Sequence, residues 1–183
     1  QSFFEEDLKL MNRSHSSEQA MESLSLATRH FDNISIDLIY GMPNMSQDRW
    51  KANIQKALSF NIPHISSYVL TVEPKTALFD FVKKGLVKPA EDEVAQAHFD
   101  LLNETLIAAG YSCYEISSFG KPGYFSKNNS AYWQQKNFIG IGPSAHSFDG
   151  HRRGWNINNN PKYIKSINSG ILPMEIEVLS TTD

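Results

Sequence analysis

Three helix-like segments alternate with two strand-like segments along the first 110 residues, and this alternation constrains the fold more than any other feature. Residues 34–40 and 65–70 are short and largely apolar, and the turn-forming Gly41 and Pro43 close the first of them. Before and after each of them, apolar residues recur at the spacing of a helix. The order β–α–β–α predicts parallel strands joined by right-handed crossovers.

The predicted helices carry recognisable start and stop signals. Ser16 and Gln19 form a Ser-x-x-Gln capping box, and Ser46 is placed to cap the second helix. Gly110 is a natural residue to end the third helix, which follows a predicted loop over residues 71–90. The apolar stripes that these helices would bury are Ala20, Met21, Leu24, Ala27 and Phe31; Trp50, Ile54, Ala57 and Leu58; and Val94, His98, Leu101, Leu102, Thr105, Leu106 and Ala109.

The residue composition and the predicted elements change after Gly110. Residues 111–116 and 138–141 are predicted strands, but the stretch between them is rich in glycine, serine and asparagine. Residues 150–160 are polar and loop-like, with Trp155 and Ile157 as candidates for a short strand, and residues 161–169 are a predicted short last helix. The two parts of the chain therefore differ in the kind of structure that they predict.

Composition excludes several functional classes. The net charge of −3 and the pI near 6.1, without a basic stripe, argue against nucleic acid as a partner. Apolar runs are only a handful of residues long, so no membrane span is expected. The single cysteine, Cys113, rules out an internal disulfide and favours a reducing compartment, and we expect a cytoplasmic protein. Cys113 itself is interpreted as a small apolar strand residue.

Two charged residues are candidates for a binding site. Asp37 interrupts an apolar strand, and a buried carboxylate is costly unless it is hydrogen-bonded or paired. It is either a structural residue with a backbone or arginine partner, or a functional group at a strand end. Arg13 precedes the first predicted helix and could grip a ligand carboxylate with two hydrogen bonds. The alternative is that Arg13 is an ordinary surface residue.

Gly140–His146 matches the Gly-x-Gly-x-x-Ala pattern of dinucleotide-binding turns, but Pro143 lies inside it and no helix signal follows. We interpret it as a tight turn close to a ligand or to another backbone segment. None of the six histidines has a close metal-ligand spacing to another. His98 lies on a helical apolar stripe and is predicted to be a core residue, whereas His146 is the best candidate ligand.

The aromatic stretch 124–133 could line a pocket for a flat ligand, and its alternative interpretation is a rim of surface aromatics.

Several segments in this chain occur in the order and spacing of a known family. They are Gln1–Phe3, Arg13–His15, Ile36–Pro43, Tyr114–Phe119, Ala131–Trp133 and Gly140–His146. Together they resemble the oxygen-independent coproporphyrinogen III oxidase family of radical S-adenosylmethionine (SAM) proteins over nearly the whole chain. The segments at 114–119 and 131–133 are more similar to its haem chaperone branch.

The resemblance implies an α/β fold, the C-terminal half of a partial (β/α)6, TIM-like barrel with a small α+β extension. Residues 1–110 would be the C-terminal βα units of the barrel, and residues 111–183 the family-specific extension. Gln1, Arg13 and Asp37 match positions that contact SAM, with Arg13 pairing with its methionyl carboxylate. Gln1 and Asp37 would hydrogen-bond the ribose or the amino acid part.

Thr71 and His146 match less well defined positions around the ligand. The family's Cys-x-x-x-Cys-x-x-Cys motif, which holds a [4Fe–4S] cluster, is absent, and one cysteine cannot supply three thiolates. We therefore expect no metal site in this segment, and expect SAM and the cluster to be complete only in a longer parent protein. This segment alone is predicted to be inactive.

A second departure concerns haem. The chaperone branch has His-Asn-x-x-Tyr-Trp, and here Asn128 replaces the histidine, although an amide is a poor iron ligand. His146 is then the hypothetical substitute, with Tyr132 and Trp133 as further candidates for tetrapyrrole contact.

Three functions follow from this resemblance. The first is a haem chaperone with haem as cargo and a haem-acceptor protein as partner. The second is an oxidoreductase of porphyrin biosynthesis that oxidatively decarboxylates coproporphyrinogen III to protoporphyrinogen IX. The third is an inert piece that self-associates through an exposed sheet edge.

Overall fold

The computed structural model describes residues 1–180 of the chain. Its contacts divide the chain into two compact units, Gln1–Ser126 and Lys127–Asp183. The first two strands after residue 110, Ser112–Cys113 and Ser118–Gly120, still belong to the sheet of the first unit. The boundary at residue 110 stays a prediction about the family's two parts.

The first unit contains five helices and four strands within its described residues. They are α1 (Glu5–Leu10), α2 (Ser17–His30), β1 (Ser35–Tyr40), α3 (Gln47–Ser59), β2 (His64–Val69), α4 (Ala77–Lys83), α5 (Asp92–Ala108), β3 (Ser112–Cys113) and β4 (Ser118–Gly120). The sheet order is β1-β2-β4-β3. β1 and β2 are parallel, as predicted, and β4 is antiparallel to β2. β1 is therefore an edge strand.

Most helix boundaries in the first unit follow the sequence signals. The Ser16–Gln19 capping box is formed, and the Ser46 side chain accepts a hydrogen bond from the Arg49 N–H group. The prediction of a plain loop over residues 71–90 is wrong, because Thr76 caps the short helix α4. A seven-residue helix that buries only Leu78 leaves too weak a periodicity to recognise.

The core of the first unit lies where α3 and α5 cover the sheet, with Trp50, Leu106 and Phe119 fully buried. His98 is 1% exposed. Its backbone carbonyl accepts a hydrogen bond from Trp50 Nε1 at 2.8 Å, and its Nδ1 accepts one from the Gly41 N–H group at 3.3 Å. The prediction that His98 is a satisfied core residue is confirmed. The stripe predicted for α2 is half-buried at Ala20, Met21, Leu24 and Ala27, whereas Phe31 is exposed.

The second unit contains α6 (Lys127–Trp133), β5 (His146–Phe148), β6 (Arg152–Asn156), α7 (Asn160–Asn168) and β7 (Met174–Val178). Its strands form an antiparallel sheet in the order β5-β6-β7. The predicted strand at 138–141 is wrong, because only Phe138 bridges to Phe148. Gly140 lies so close to the His146 backbone that no side chain fits there. The tight turn predicted at Gly140–His146 is confirmed, with φ of +104° at Gly142 and β5 beginning at His146.

Residues 1–180 contain neither a candidate membrane-spanning helix nor a candidate metal-binding cluster. No helix there is long and apolar enough to cross a membrane. No group of three or more His, Cys, Asp or Glu side chains there is arranged to hold a metal ion.

Candidate functional site

A cavity of about 350 Å³ opens beside the edge strand of the first unit. Residues Gln1–Phe3 form one wall, Ile36–Leu38 of β1 form another, and His15 with one face of α2 forms a third. The N-terminal segment reaches this position because the Ile39 N–H group donates to the Gln1 carbonyl at 2.9 Å. Gln1 thus forms one backbone hydrogen bond with the edge of β1 that has no partner strand.

Asp37 is exposed, so the expectation that it is a buried carboxylate is wrong. Successive side chains of a strand point to opposite faces, and Asp37 lies on the face opposite its neighbour Leu38, which is buried in the core. Asp37 is therefore placed at the cavity wall with its carboxylate accessible.

Arg13 and Asp37 both lie within electrostatic reach of the Gln1 amino group. Burial lowers the pKa of the Gln1 amino group, Asp37 acts to raise it and Arg13 to lower it. Arg13 is exposed, and its N–H group donates to the Leu8 carbonyl at 2.9 Å at the end of α1. Three of the four predicted SAM residues are thus close together, although Arg13 lies outside the cavity lining. Thr71, exposed just beyond β2, also lies outside that lining.

The amide oxygen of Gln1 is buried and has no hydrogen-bond partner in the described chain. Buried polar atoms in proteins almost always have a partner, so this oxygen requires a donor from outside the described residues, which is either a ligand or another part of the whole protein. The carboxylate of Asp37 and the guanidinium of Arg13 offer complementary charges nearby. This set of groups fits a zwitterionic amino acid joined to a hydroxyl-bearing sugar.

The second unit has its own cavity, of about 490 Å³. Its walls include His146, Tyr132, Phe138, Phe148 and Arg153. The Tyr132 and Phe138 rings meet edge to face with centroids 4.7 Å apart, and the Phe138 and Phe148 rings lie 6.0 Å apart. The cavity is therefore aromatic along its base, with an accessible imidazole and a cation at its edges. Trp133, exposed on α6, lies outside this lining.

Sequence reasoning did not identify Arg153 as a site residue. Arg153 lies opposite Phe148 in the β5–β6 pairing, and its Nη1 is 3.9 Å from Glu177 Oε2 in a pair that is half exposed on both sides. An ion pair this long and solvated is weak. The Asp149–Gly150 dipeptide is a common hairpin signal, but a two-residue turn there would pair Phe148 with His151. The four-residue loop that places Arg153 opposite Phe148 could not be predicted from it.

No family model matches the chain. Among curated proteins, the chain is 32% identical to the haem chaperone HemW of Mycobacterium tuberculosis over 168 residues, and 37% identical to HemW of Escherichia coli over 147 residues. The matches cover 91% and 80% of this chain but only 43% and 38% of those proteins. The chain therefore spans less than half the length of these relatives.

The fold gives an independent comparison. The solved structure of coproporphyrinogen III oxidase (HemN) from Escherichia coli, a radical SAM enzyme, matches with a TM-score of 0.78. The match covers 98% of this chain and 44% of that one, at 19% identity, so it concerns the fold alone. It confirms the predicted fold class, part of a radical SAM-type α/β barrel. By its sequence relatives, this chain is homologous to part of the haem chaperones among the radical SAM proteins.

Proposed function

We propose that the whole protein is a haem chaperone on a radical SAM scaffold, with haem bound in the second unit and SAM beside the edge strand of the first. The observation that carries the haem part is the single cavity that His146, Tyr132 and Arg153 share. These residues come from different elements of the second unit. The haem chaperones among the curated relatives support the same function.

The side chains around this cavity supply what a haem needs. A neutral imidazole is a common axial ligand of haem iron, and His146 is exposed at the cavity wall. The aromatic rings of Tyr132, Phe138 and Phe148 offer a surface on which a flat macrocycle can lie. The guanidinium of Arg153 can pair with a propionate. Haem is the cargo in this proposal, and a haem-acceptor protein is the partner.

SAM fits the groups beside the first cavity. Arg13 would bind the methionyl carboxylate with two hydrogen bonds, and Asp37 would accept hydrogen bonds from the ribose hydroxyls or the amino group. The orphaned amide oxygen of Gln1 would accept a third from the ligand. A [4Fe–4S] cluster supplies electrons for radical chemistry when it is bound. With one cysteine in this sequence, its thiolate ligands must come from elsewhere in the whole protein.

Haem titration of the full-length protein, followed by the Soret band, tests the first part of the proposal. We expect His146→Ala to abolish the ligated Soret band and to weaken haem binding by about 10- to 100-fold. His151→Ala is the matched control, because His151 is an exposed histidine of the same unit outside the cavity lining. Unchanged spectra and affinity in His146→Ala would contradict the proposal. Decarboxylation of coproporphyrinogen III by the protein would instead favour the oxidase function.

Calorimetric titration with SAM tests the second part. Arg13→Ala and Asp37→Ala in the full-length protein should each weaken SAM binding by at least about tenfold, because each removes a charged hydrogen-bonding group. Arg29→Ala serves as the control, since Arg29 is an exposed arginine near the end of α2, outside the lining. Undiminished binding in both test variants would remove the site assignment.

A further inference from the structure

The segment that carries Gln1 is held in place by a buried asparagine on α3. Asn53 is 0% exposed, and its Oδ1 accepts a hydrogen bond from the Phe3 N–H group at 2.7 Å. The same oxygen lies 3.2 Å from the Ser2 hydroxyl oxygen. Asn53 and the segment are about fifty positions apart in sequence, so this contact is wholly tertiary.

Of the two contacts of Asn53 Oδ1, the one with the Phe3 N–H group is the principal hydrogen bond. Ser2 has one hydroxyl proton, and the 2.7 Å contact to Asp7 Oδ2 takes it. The Ser2 oxygen also accepts from the Phe4 N–H group at 3.1 Å. The N–H group of Phe3 can only donate, which fixes the Asn53 amide with its oxygen towards the segment. Asn53 Oδ1 thus holds the Phe3 N–H group, and the Ser2 hydroxyl oxygen holds the Phe4 N–H group.

Asn53 occupies a position that packing alone would give to an apolar residue. Trp50, Ile54 and Ala57, the other buried residues of α3, are all apolar. A buried amide lowers stability unless it makes hydrogen bonds, and a leucine of similar volume would bury more apolar surface. The gain that offsets this cost is the fixed position of the segment.

Gln1 is the residue that this arrangement positions. Its carbonyl is bound to Ile39 on β1, and two residues later the chain is bound to Asn53 on α3. These two contacts fix the backbone from the Gln1 carbonyl to Phe3, and so set the position from which the Gln1 side chain reaches the cavity wall. We propose that Asn53 is a positioning residue for SAM binding, acting through Gln1 without touching the ligand. This inference rests on the SAM site proposed above.

A double-mutant cycle in the full-length protein tests the inference, with the SAM dissociation constant as the readout. Asn53→Leu removes the acceptor while keeping the volume, and we expect it to weaken SAM binding about tenfold. In a Gln1→Ala background the same substitution should change the affinity less than about twofold, because coupled residues are not additive. Ile54→Val is the control, since it perturbs the same buried helix face and should leave SAM affinity unchanged.

A rescue variant separates positioning from general destabilisation. Asn53→Asp alone keeps the acceptor but places a second carboxylate beside Asp7. Adding Asp7→Asn restores a single charge, although it removes the carboxylate that pairs with Arg49 at 3.6 Å, and SAM affinity should recover relative to Asn53→Asp alone. Ser2→Ala is a milder second variant that should weaken binding several-fold if Asn53→Leu does not fold.

The outcomes distinguish the two proposals. Normal SAM affinity in Asn53→Leu and Ser2→Ala, or fully additive losses with Gln1→Ala, would overturn the positioning role while leaving the SAM site intact. Unchanged affinity in Gln1→Ala would overturn the assignment of Gln1, and the positioning role with it.

Discussion

At the scale of single residues, His64 connects three parts of the first unit. Its Nδ1 lies 2.7 Å from Ser35 Oγ on β1, and its Nε2 lies 2.7 Å from the hydroxyl oxygen of Tyr114. That hydroxyl also accepts a hydrogen bond from the Ser126 N–H group at 3.0 Å. The hydroxyl proton of Tyr114 is therefore directed to Nε2, which makes neutral His64 the form that this network accommodates.

Burial lowers the pKa of His64 below its ordinary value of 6.5, while Glu115 and Asp37 act to raise it. As the pH falls, the unfolded chain takes up the proton first. The stability from His64 is thus fully present above pH 6.5 and is lost as the pH falls through the folded-state pKa. We expect His64→Gln to cost about 2 kcal/mol at pH 8, and the gap to wild type to narrow towards pH 5.

Urea unfolding followed by Trp50 fluorescence measures this gap, in a Trp133→Phe/Trp155→Phe background that leaves Trp50 as the reporter. His30→Gln, at an exposed histidine, should give a curve parallel to wild type. A constant gap between pH 8 and pH 5 in His64→Gln would show that the titration of His64 is not linked to folding.

At the scale of elements, α2 and α3 are both helices with serine caps, but different interactions hold them in place. α3 has four buried residues, whereas α2 has none. The start of α2 is stabilised locally by the reciprocal hydrogen bonds of Ser16 and Gln19. Because α2 forms a wall of the first cavity, its local order bears on ligand binding.

We expect Ser16→Ala to cost about 1 kcal/mol and to fray the first turn of α2, since few tertiary contacts compensate for the lost cap. Ser46→Ala removes a similar cap from α3 and should cost a similar amount without local fraying, because buried residues pin that helix. Hydrogen exchange of the first-turn amides measures the difference. Equal protection loss in both variants would contradict this account.

At the scale of the whole molecule, both units expose large apolar side chains. Phe31 is 66% exposed in the first unit, and Ile139 and Ile141 are 86% and 89% exposed in the second. Single apolar residues at a surface are ordinary, but neighbouring ones together with an edge strand favour association. The predicted self-association of the chain rests on these features.

We expect the 183-residue chain to show concentration-dependent self-association in sedimentation experiments, and Ile139→Lys/Ile141→Lys to weaken it about tenfold. The control is Asn158→Lys/Asn168→Lys, which adds the same charge at exposed polar positions. If both variants weaken self-association equally, the added positive charge is responsible for the effect and the loss of the apolar pair is not. A monomer at all concentrations would remove the prediction.

The sequence by itself determined the elements whose signals are local. Helix caps at Ser16 and Ser46, the glycine at 110 and the two parallel strands follow from hydrogen bonds and periodicity within a few residues, and the structure confirms them. The family resemblance was equally a property of the order of short segments. Such features can be predicted because their energetics do not depend on distant parts of the chain.

Only the tertiary structure decided which of these elements face a cavity. Asp37 is exposed because it points to the strand face opposite the buried Leu38, and Asn53 on α3 contacts a segment about fifty positions away. Arg153 reaches the cavity of His146 through strand pairing that no local pattern specified fully. Exposure, long-range hydrogen bonds and cavity walls depend on how distant segments meet, and that information is spread over the whole chain.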